Sequence, residues 1–125
     1  MAAILVADDE QALRGVMARF FSRDNHEVLE AGDGIEALAV LRGSSVDVAF
    51  IDVMMPEMDG VTLMRRLLQD RADVGIVMMS AYHQVLDLPL RERELVHVLR
   101  KPFTLDELKT MLEAALNKQR HLSGG

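Results

Sequence analysis

Apolar residues along the chain form two alternating kinds of segment. Short continuous apolar runs are typical of strands covered on both faces of a sheet, whereas apolar residues three and four positions apart indicate one face of a helix. Five runs of the first kind predict strands over residues 3–7, 28–31, 46–51, 74–79 and 95–99. The helical stripes between and after these runs consist of Leu13, Val16, Met17 and Phe20; of Ile35, Leu38 and Leu41; of Leu63, Met64, Leu67 and Leu68; and of Leu108, Met111, Leu112 and Ala115.

The order of these segments predicts an α/β fold. Because strand and helix alternate along the chain, the strands are expected to form a parallel sheet with helices on both faces. Glu27 and Glu30 lie beside and within the second strand, which indicates a half-exposed edge of the sheet. The last helix begins with a capping box, in which Thr104 and Glu107 satisfy each other's backbone N–H groups.

One helix is irregular in sequence. A fourth helix is expected between Tyr82 and Glu94, but Pro89 lies in the middle of this stretch. A proline inside a helix costs about 3 kcal/mol unless it lies in the first turn. We therefore expect this helix either to be short or to begin near Pro89.

The size and composition of the chain fit one domain, predicted over residues 1–120 with a flexible tail or the start of a linker over 121–125. The 125 residues include no cysteine, and 14 basic against 20 acidic side chains give a net charge of −6. The lack of cysteine excludes thiol catalysis and thiolate zinc sites, and the acidic balance argues against direct nucleic-acid binding. No apolar run approaches the roughly 20 residues of a membrane span, and no signal peptide is recognisable, so a cytoplasmic domain without membrane contact is expected.

Polar residues follow four of the predicted strands. Asp8 and Asp9 follow the first strand and Asp52 the third, while Ser80 follows the fourth and Lys101 lies just beyond the fifth. Ligands of open parallel sheets bind at this carboxyl edge. Neighbouring carboxylates repel one another, and Mg²⁺, which prefers oxygen ligands, relieves the repulsion. A cation and a carboxylate facing a lysine and a serine predict a site that gathers phosphoryl oxygens while one carboxylate attacks phosphorus.

Each of these residues alone has an ordinary structural interpretation. An acid at a strand end is commonly a solvated loop residue or a helix cap, as Asp8 with Gln11 would be, and a single lysine is commonly a surface residue. Two other functions fit the same residues less well. A magnesium-dependent phosphohydrolase with an aspartate nucleophile needs a second acid two residues further on, where this chain has Met54. A nucleotide-binding protein needs a glycine-rich loop after the first strand, which this chain lacks.

Taken together and in this order, the motifs resemble the receiver domain of two-component response regulators over essentially the whole chain. The motifs that carry the resemblance are Asp8 with Asp9, the segment DVMMPEMDG over residues 52–60, Ser80 with Ala81, and the triplet Lys101, Pro102 and Phe103. The resemblance implies a flavodoxin-like sheet of five strands in the order 2-1-3-4-5. It also implies a phosphorylated signalling domain rather than an enzyme with a separate substrate, since such domains promote only their own phosphorylation and slow dephosphorylation.

The resemblance assigns the phosphoacceptor and the metal ligands residue by residue. Asp52 would accept a phosphoryl group from a phosphohistidine on a histidine kinase or a histidine phosphotransfer protein. Asp9 and Asp52 would bind Mg²⁺ directly, Asp8 would contribute through a water molecule, and Met54 would contribute its backbone carbonyl.

The resemblance also assigns residues around the phosphoryl group. Ser80 would donate a hydrogen bond to a phosphoryl oxygen and shift on activation, and Lys101 would pair with the phosphoryl group. The peptide bond between Lys101 and Pro102 is expected to be cis. Pro56 and Gly60 would shape the loop beside the acceptor.

The sequence departs from the family in its switch residue. The family usually has an aromatic residue three positions before the lysine, where this chain has Val98, so the aromatic readout of phosphorylation is not expected. Met54 and Tyr82 flank the route of water to the acceptor, and because a thioether orients water poorly we predict slow self-dephosphorylation.

The output expected from the resemblance is a change in protein–protein interactions. The partner would be a downstream protein, reached by a stand-alone receiver, or an attached effector domain of a longer protein. The alternative is a receiver-like interaction module that acts independently of phosphorylation, which Val98 and Pro89 favour because both lie on the face that partners commonly contact.

Overall fold

A computed structural model of the chain describes residues 1–81 and 87–124, with side chains described up to residue 117. The strands are β1 (Ala3–Ala7), β2 (Glu27–Ala31), β3 (Val48–Asp52), β4 (Gly75–Ser80) and β5 (His97–Arg100). The helices are α1 (Gln11–Arg23), α2 (Gly34–Gly43), α3 (Gly60–Asp70), α4 (Leu90–Arg93) and α5 (Leu105–Gly124). No helix in these described ranges is long and apolar enough to cross a bilayer.

The strands form one parallel sheet in the order β2-β1-β3-β4-β5, which confirms the predicted architecture. The register brings the polar strand ends to one edge. Asp52 pairs with Met79, the residue before Ser80. Ser80 in turn pairs with Arg100, the residue before Lys101. Strand β2 is the half-exposed edge that its glutamates predict.

Two apolar layers cover the two faces of the sheet. One layer lies under α2 and α3 and includes Leu5, Ile51 and Met78, and the other lies under α1 and α5 and includes Phe50 and Met79. Residues of the central strands alternate between the two layers, and every residue of β3 and β4 is buried. This burial on both faces explains why these strands are continuous apolar runs in the sequence.

The predicted bounds of the third strand are wrong at its start. The strand begins at Val48 rather than Val46, although Val46 is buried against the core. Asp47 instead joins neighbouring segments, since its carboxylate accepts a hydrogen bond from the backbone N of Ala3 at 2.8 Å and its carbonyl accepts one from Gly75 at 2.9 Å. The apolar side chain of Val46 therefore correctly indicates a core residue, but it does not indicate that this residue belongs to the strand.

The predicted bounds of the fifth strand are also wrong. The strand is His97–Arg100, and Leu95 precedes it. The backbone N of Leu95 donates to the carbonyl of Glu92 at 3.0 Å, so this residue belongs to the turn that leaves α4. An exposed leucine in a turn gives the same local pattern as the first residue of a strand.

Helix α4 combines the two alternatives left open by the sequence, because it is short and begins next to Pro89. Residues 82–86 of the predicted stretch lie outside the described residues. Pro89 precedes the four residues of the helix, where its missing N–H costs no hydrogen bond. An ion pair ties this helix to α3, because Arg65 donates to Glu92 through Nε at 2.8 Å and through Nη2 at 3.0 Å. The hydrogen bond from Arg65 lowers the pKa of Glu92.

Polar caps begin several helices. Thr104 and Glu107 exchange the two reciprocal hydrogen bonds of the predicted capping box, each at 3.1 Å. Asp33 and Asp59 cap α2 and α3 with single hydrogen bonds, accepted from the backbone N of Glu36 and of Thr62, and sequence reasoning missed both. Asp59 caps α3 from within the segment that also contains Asp52, so this cap helps to fix the loop of the site.

The packing predicts opposite effects for two glycine-to-alanine substitutions. A Cβ on Gly75 would lie 2.8 Å from the carbonyl oxygen of Ala115, so Gly75→Ala is expected to lower the free energy of unfolding by about 1–3 kcal/mol. Gly15 lies inside α1 with nothing within 4 Å of such a Cβ, so Gly15→Ala is expected to raise it by about 1 kcal/mol. Urea denaturation would measure both changes, and equal effects would contradict the close packing of β4 on α5.

Candidate functional site

Three aspartates meet at the carboxyl edge of the sheet. Asp8, Asp9 and Asp52 each place one carboxylate oxygen within 4.8 Å of the other two. Asp8 is fully buried and Asp52 is 7 % exposed, whereas Asp9 faces solvent. The structure therefore brings together the acidic residues predicted from the sequence, with one of them open to the outside.

Asp8 is held in the turn between β1 and α1. Its Oδ1 accepts a hydrogen bond from the backbone N of Glu10 at 2.9 Å, and its Oδ2 accepts one from Nζ of Lys101 at 2.7 Å. The alternative interpretation of Asp8 as a helix cap with Gln11 is wrong, because Glu10 is the N-cap residue of α1. Both carboxylate oxygens of Asp8 are thus engaged inside the site.

Asp52 is the last residue of β3. Its Oδ1 accepts a hydrogen bond from the backbone N of Met54 at 3.2 Å, and its Oδ2 lies 3.4 Å from Nζ of Lys101. Burial and the nearby charge of Asp8 raise the pKa of Asp52, and Lys101 and the N–H of Met54 oppose this rise only in part. The negative charge on Asp52 is therefore unfavourable in the folded protein when no further cation is near.

Lys101 is the basic residue of the site. Burial alone would lower its pKa, but the hydrogen bond and charge of Asp8, together with the charge of Asp52, raise it overall. The backbone N of Lys101 donates to the carbonyl of Ser80 at 2.8 Å, which fixes the end of β5 against β4. The peptide bond from Lys101 to Pro102 is cis, as the resemblance implies.

The remaining predicted residues surround this centre. Ser80 is buried as the last residue of β4, and Pro56 and Pro102 are both exposed on loops. Gly60 is the first residue of α3, and a Cβ there would collide with the carbonyl oxygen of Asp52. The backbone of α3 thus packs directly on the backbone of the acidic residue, which only glycine allows.

Met54 and Tyr82 are predicted to tune dephosphorylation, and Val98 to occupy the switch position without the usual aromatic side chain. The side chain of Met54 is 65 % exposed beside Asp52, and its backbone N contacts the carboxylate as described above. Val98 lies on β5 and is 43 % exposed. Tyr82 lies outside the described residues.

The loop after β3 contains a backbone feature that the sequence did not predict. Glu57 has φ 68°, in the left-handed region, and the backbone N of Met58 donates to the carbonyl of Pro56 at 2.8 Å. A hydrogen bond across one residue with positive φ is a tight γ-turn. A glutamate carries no sequence signal for this conformation, which glycine and asparagine usually adopt.

An arginine on α1 is a second feature that sequence reasoning missed. Nη1 of Arg14 donates to the backbone carbonyl of Asp8 at 2.7 Å, and Nε lies 3.2 Å from a carboxylate oxygen of Glu30 on β2. Arginine is common on exposed helix faces, so its position in the first turn of α1 gave no signal that it contacts the site.

An open cavity of ≈ 290 Å³ adjoins the acidic cluster on the side of α1 and α5. It is lined by Glu10, Leu13, Ala81, Lys101, Pro102 and Phe103. Most of its lining residues are apolar, and Glu10 and Lys101 are the charged ones.

A comparison of the sequence with models of protein families gives a match that is consistent with this fold and its acidic edge. A family model described as the response regulator receiver domain matches residues 4–113. The chain therefore belongs to the response regulator receiver domain family, as the motifs at the strand ends predict.

Individual relatives share this domain within longer proteins. The chain is 36 % identical over 123 residues to the sensor kinase CckA of Brucella abortus, a match that covers 94 % of this chain and 13 % of CckA. It is 36 % identical over 117 residues to the DNA-binding transcriptional regulator NtrC of Azospirillum brasilense, covering 93 % of this chain and 24 % of NtrC. The chain thus spans less than a quarter of the length of these two curated relatives.

A solved structure has the same fold. The response regulator protein TrrA of Thermotoga maritima, in complex with Mg(2+)-BeF, superposes with a TM-score of 0.83 at 28 % identity. The match covers 93 % of this chain and 100 % of TrrA.

The electrostatics of the site predict that Asp52→Asn stabilises the metal-free protein at neutral pH. The pKa of Asp52 is raised above the ordinary 3.8 in the folded state. The free energy of unfolding therefore falls as the pH rises from 3.8 through the folded-state pKa, and the contribution of Asp52 stays unfavourable at higher pH. The substitution removes the charge but keeps an oxygen that can accept from Met54. We expect a higher melting temperature at pH 7 and a gain that shrinks as the pH falls toward 3.8.

Circular dichroism melting curves between pH 4 and pH 8 would measure this gain. Glu113→Gln is a matched control, because it removes one negative charge from the exposed surface of α5. An equal gain in both variants, or a gain that does not depend on pH, would contradict an unfavourable charge on Asp52 caused by its burial and by the nearby Asp8.

Proposed function

We propose that this domain accepts a phosphoryl group on Asp52 from a phosphohistidine of a partner protein in the cytoplasm, with Mg²⁺ bound at the acidic cluster. The observation that carries the proposal is the arrangement of two buried carboxylates and one ammonium group, with Oδ2 of Asp52 3.4 Å from Nζ of Lys101 and Oδ2 of Asp8 2.7 Å from it. Membership of the receiver family supports the same conclusion.

The proposed step is an in-line transfer of the phosphoryl group. A carboxylate oxygen of Asp52 attacks phosphorus, so that a P–O bond forms as the P–N bond to the donor imidazole breaks. The electron pair of that bond stays with the imidazole nitrogen, which takes up a proton. The products are an acyl phosphate on Asp52 and a neutral histidine, without any oxidant or reductant.

The donor set fits Mg²⁺, which prefers a few carboxylates together with water and phosphate oxygens. We assign Asp9 and Asp52 as direct ligands because Asp9 is exposed and its carboxylate has no hydrogen-bond or ion-pair partner among the described residues. Asp8 would act through water because its two oxygens are held at 2.9 Å and 2.7 Å, more closely than those of Asp52 at 3.2 Å and 3.4 Å. Met54 would add its carbonyl. Bound there, the cation would neutralise the acidic cluster and hold phosphoryl oxygens.

Lys101 and Ser80 complete the proposed phosphoryl site from the other side. Lys101 is held charged by two carboxylates, and one of them, Asp52, would become the acyl phosphate. Its ammonium group would then pair with the new phosphoryl oxygens, while the Ser80 hydroxyl donates a hydrogen bond. Ser80 ends β4 and Lys101 follows β5. A phosphoryl group bound by both side chains would therefore change the contacts at the ends of these two strands.

We propose a histidine kinase or a histidine phosphotransfer protein as the donor, and a downstream protein or an attached effector domain as the target. CckA is named a sensor kinase and NtrC a transcriptional regulator, and both contain a segment like this chain within a longer protein. The two kinds of target would differ in the output of the domain, whereas the chemistry at Asp52 would be the same in both.

The second candidate function is an interaction module that works without phosphorylation. Two observations favour it: Val98 stands at the position of the usual aromatic switch residue, and α4 has only four residues. A partner that binds wild-type protein and Asp52→Asn equally, with and without a phosphodonor, would support this candidate over the first.

Phosphorylation with a small donor tests the proposal directly. Incubation with acetyl phosphate and Mg²⁺ is expected to add the mass of one phosphoryl group, which peptide mapping locates at Asp52. The label should be absent in Asp52→Asn and without Mg²⁺, and it should persist in the surface control Asp24→Asn. A label on another residue, or on Asp52→Asn, would contradict the assignment.

The lifetime of the phosphorylated state depends on the side chain of Met54 in this proposal. An amide can orient an attacking water, whereas an exposed thioether is only a weak acceptor. Met54→Asn is therefore expected to speed the decay of phosphorylated Asp52 by about tenfold, the effect of one hydrogen bond of ~1.4 kcal/mol. Loss of radiolabel over time measures the rate, Met54→Leu serves as the matched control, and an unchanged rate in Met54→Asn would disprove the role.

A further inference from the structure

We propose that Arg14 is a positioning residue for the acidic pair Asp8 and Asp9, and that it acts through the peptide bond that joins them. The inference rests on the proposed magnesium site. Arg14 touches none of the reacting groups, since its guanidinium contacts a backbone carbonyl and a glutamate on β2.

The two aspartates are held in different ways. The carboxylate of Asp8 is fixed by Lys101 and by the backbone N of Glu10. The carboxylate of Asp9 is exposed, and no hydrogen bond or ion pair within the described ranges restrains it. The direction of the Asp9 side chain therefore depends on its own backbone.

Arg14 controls that backbone through one strong contact. Its Nη1 donates to the carbonyl oxygen of Asp8 at 2.7 Å, a short, charge-assisted hydrogen bond. This oxygen belongs to the peptide bond between Asp8 and Asp9, so the hydrogen bond sets the plane from which Asp9 projects. The peptide bond before Asp8 is also held, because the backbone N of Asp8 donates to the carbonyl of Ala31 at 3.0 Å.

The guanidinium is itself held in place. Its Nε lies 3.2 Å from Glu30, and the side chain of Arg14 is only 18 % exposed. Gly32 lies beside it, since a Cβ on that residue would be in van der Waals contact with Nη1 at 3.4 Å. A planar fork can contact a carbonyl and a carboxylate together, which the point charge of a lysine does not reproduce.

Positioning and charge predict opposite effects on metal binding. As a positive charge near an acidic site, Arg14 would weaken Mg²⁺ binding, and its removal would tighten it. As a positioning residue, Arg14 prepares Asp9 for the cation, and its removal would weaken binding. Partners that orient metal ligands usually contribute about 10–100-fold in affinity, which exceeds the effect of one solvent-screened charge.

Isothermal titration of the full chain with MgCl₂ tests the inference. Arg14→Gln is expected to weaken Mg²⁺ binding by about tenfold, and Arg14→Lys should also weaken it although the charge is kept. Arg19→Gln removes the same charge from an exposed position on α1 and should leave the affinity within about twofold of wild type. Glu30→Gln breaks the ion pair but keeps the carbonyl contact, and should have a smaller effect than Arg14→Gln.

A second readout uses the protein without metal. The amide signals of Asp9 and Glu10 in ¹H–¹⁵N spectra should shift, and their hydrogen exchange should speed up, in Arg14→Gln but not in Arg19→Gln. Tighter or unchanged Mg²⁺ binding in Arg14→Gln would overturn the positioning role, as would an equal loss in Glu30→Gln. If wild-type protein binds no Mg²⁺, the proposed metal site fails instead, and the amide signals still report whether Arg14 orders the turn.

Discussion

The ion pair between Lys101 and Asp8 is the interaction on which the site depends. Asp8 is fully buried, and a buried carboxylate without a partner costs several kcal/mol, so the ammonium group 2.7 Å away makes this position tolerable. The same ammonium lies 3.4 Å from Asp52 and offsets only part of the repulsion between the two acids. One cation shared by two buried anions leaves the folded domain with a local excess of negative charge, which a further cation can satisfy.

Much of the fold follows from local patterns in the sequence. Apolar runs such as the one in β4 mark central strands because parallel sheets are covered on both faces. Because alternating strands and helices form a parallel sheet, the carboxyl ends of the strands lie at one edge, and the sequence alone places Asp52, Ser80 and Lys101 there together. Pro89 left two possibilities open, a short helix or one that begins near the proline, and the structure has both features, with Pro89 as the N-cap of a four-residue helix.

Features that depend on contacts between distant segments could not be predicted in this way. The role of Asp47 as a link between β1 and β4, rather than a strand residue, depends on backbone partners that lie far away in sequence. Glu57 has a left-handed conformation that its residue type disfavours, so only the surrounding loop can impose it. The contact of Arg14 with Asp8 is invisible in sequence because a helix-surface arginine has many possible partners.

The contact at Gly60 has a mechanical consequence. The first residue of α3 lies so close to the carbonyl of Asp52 that no side-chain atom fits between them, and the backbone N of Gly60 donates to the carbonyl of Val53 at 3.0 Å. A displacement of the end of β3 would therefore press directly on the backbone at the start of α3. The ion pair between Arg65 and Glu92 joins α4 to the middle of the same helix, so a contact path runs from Asp52 through α3 to α4.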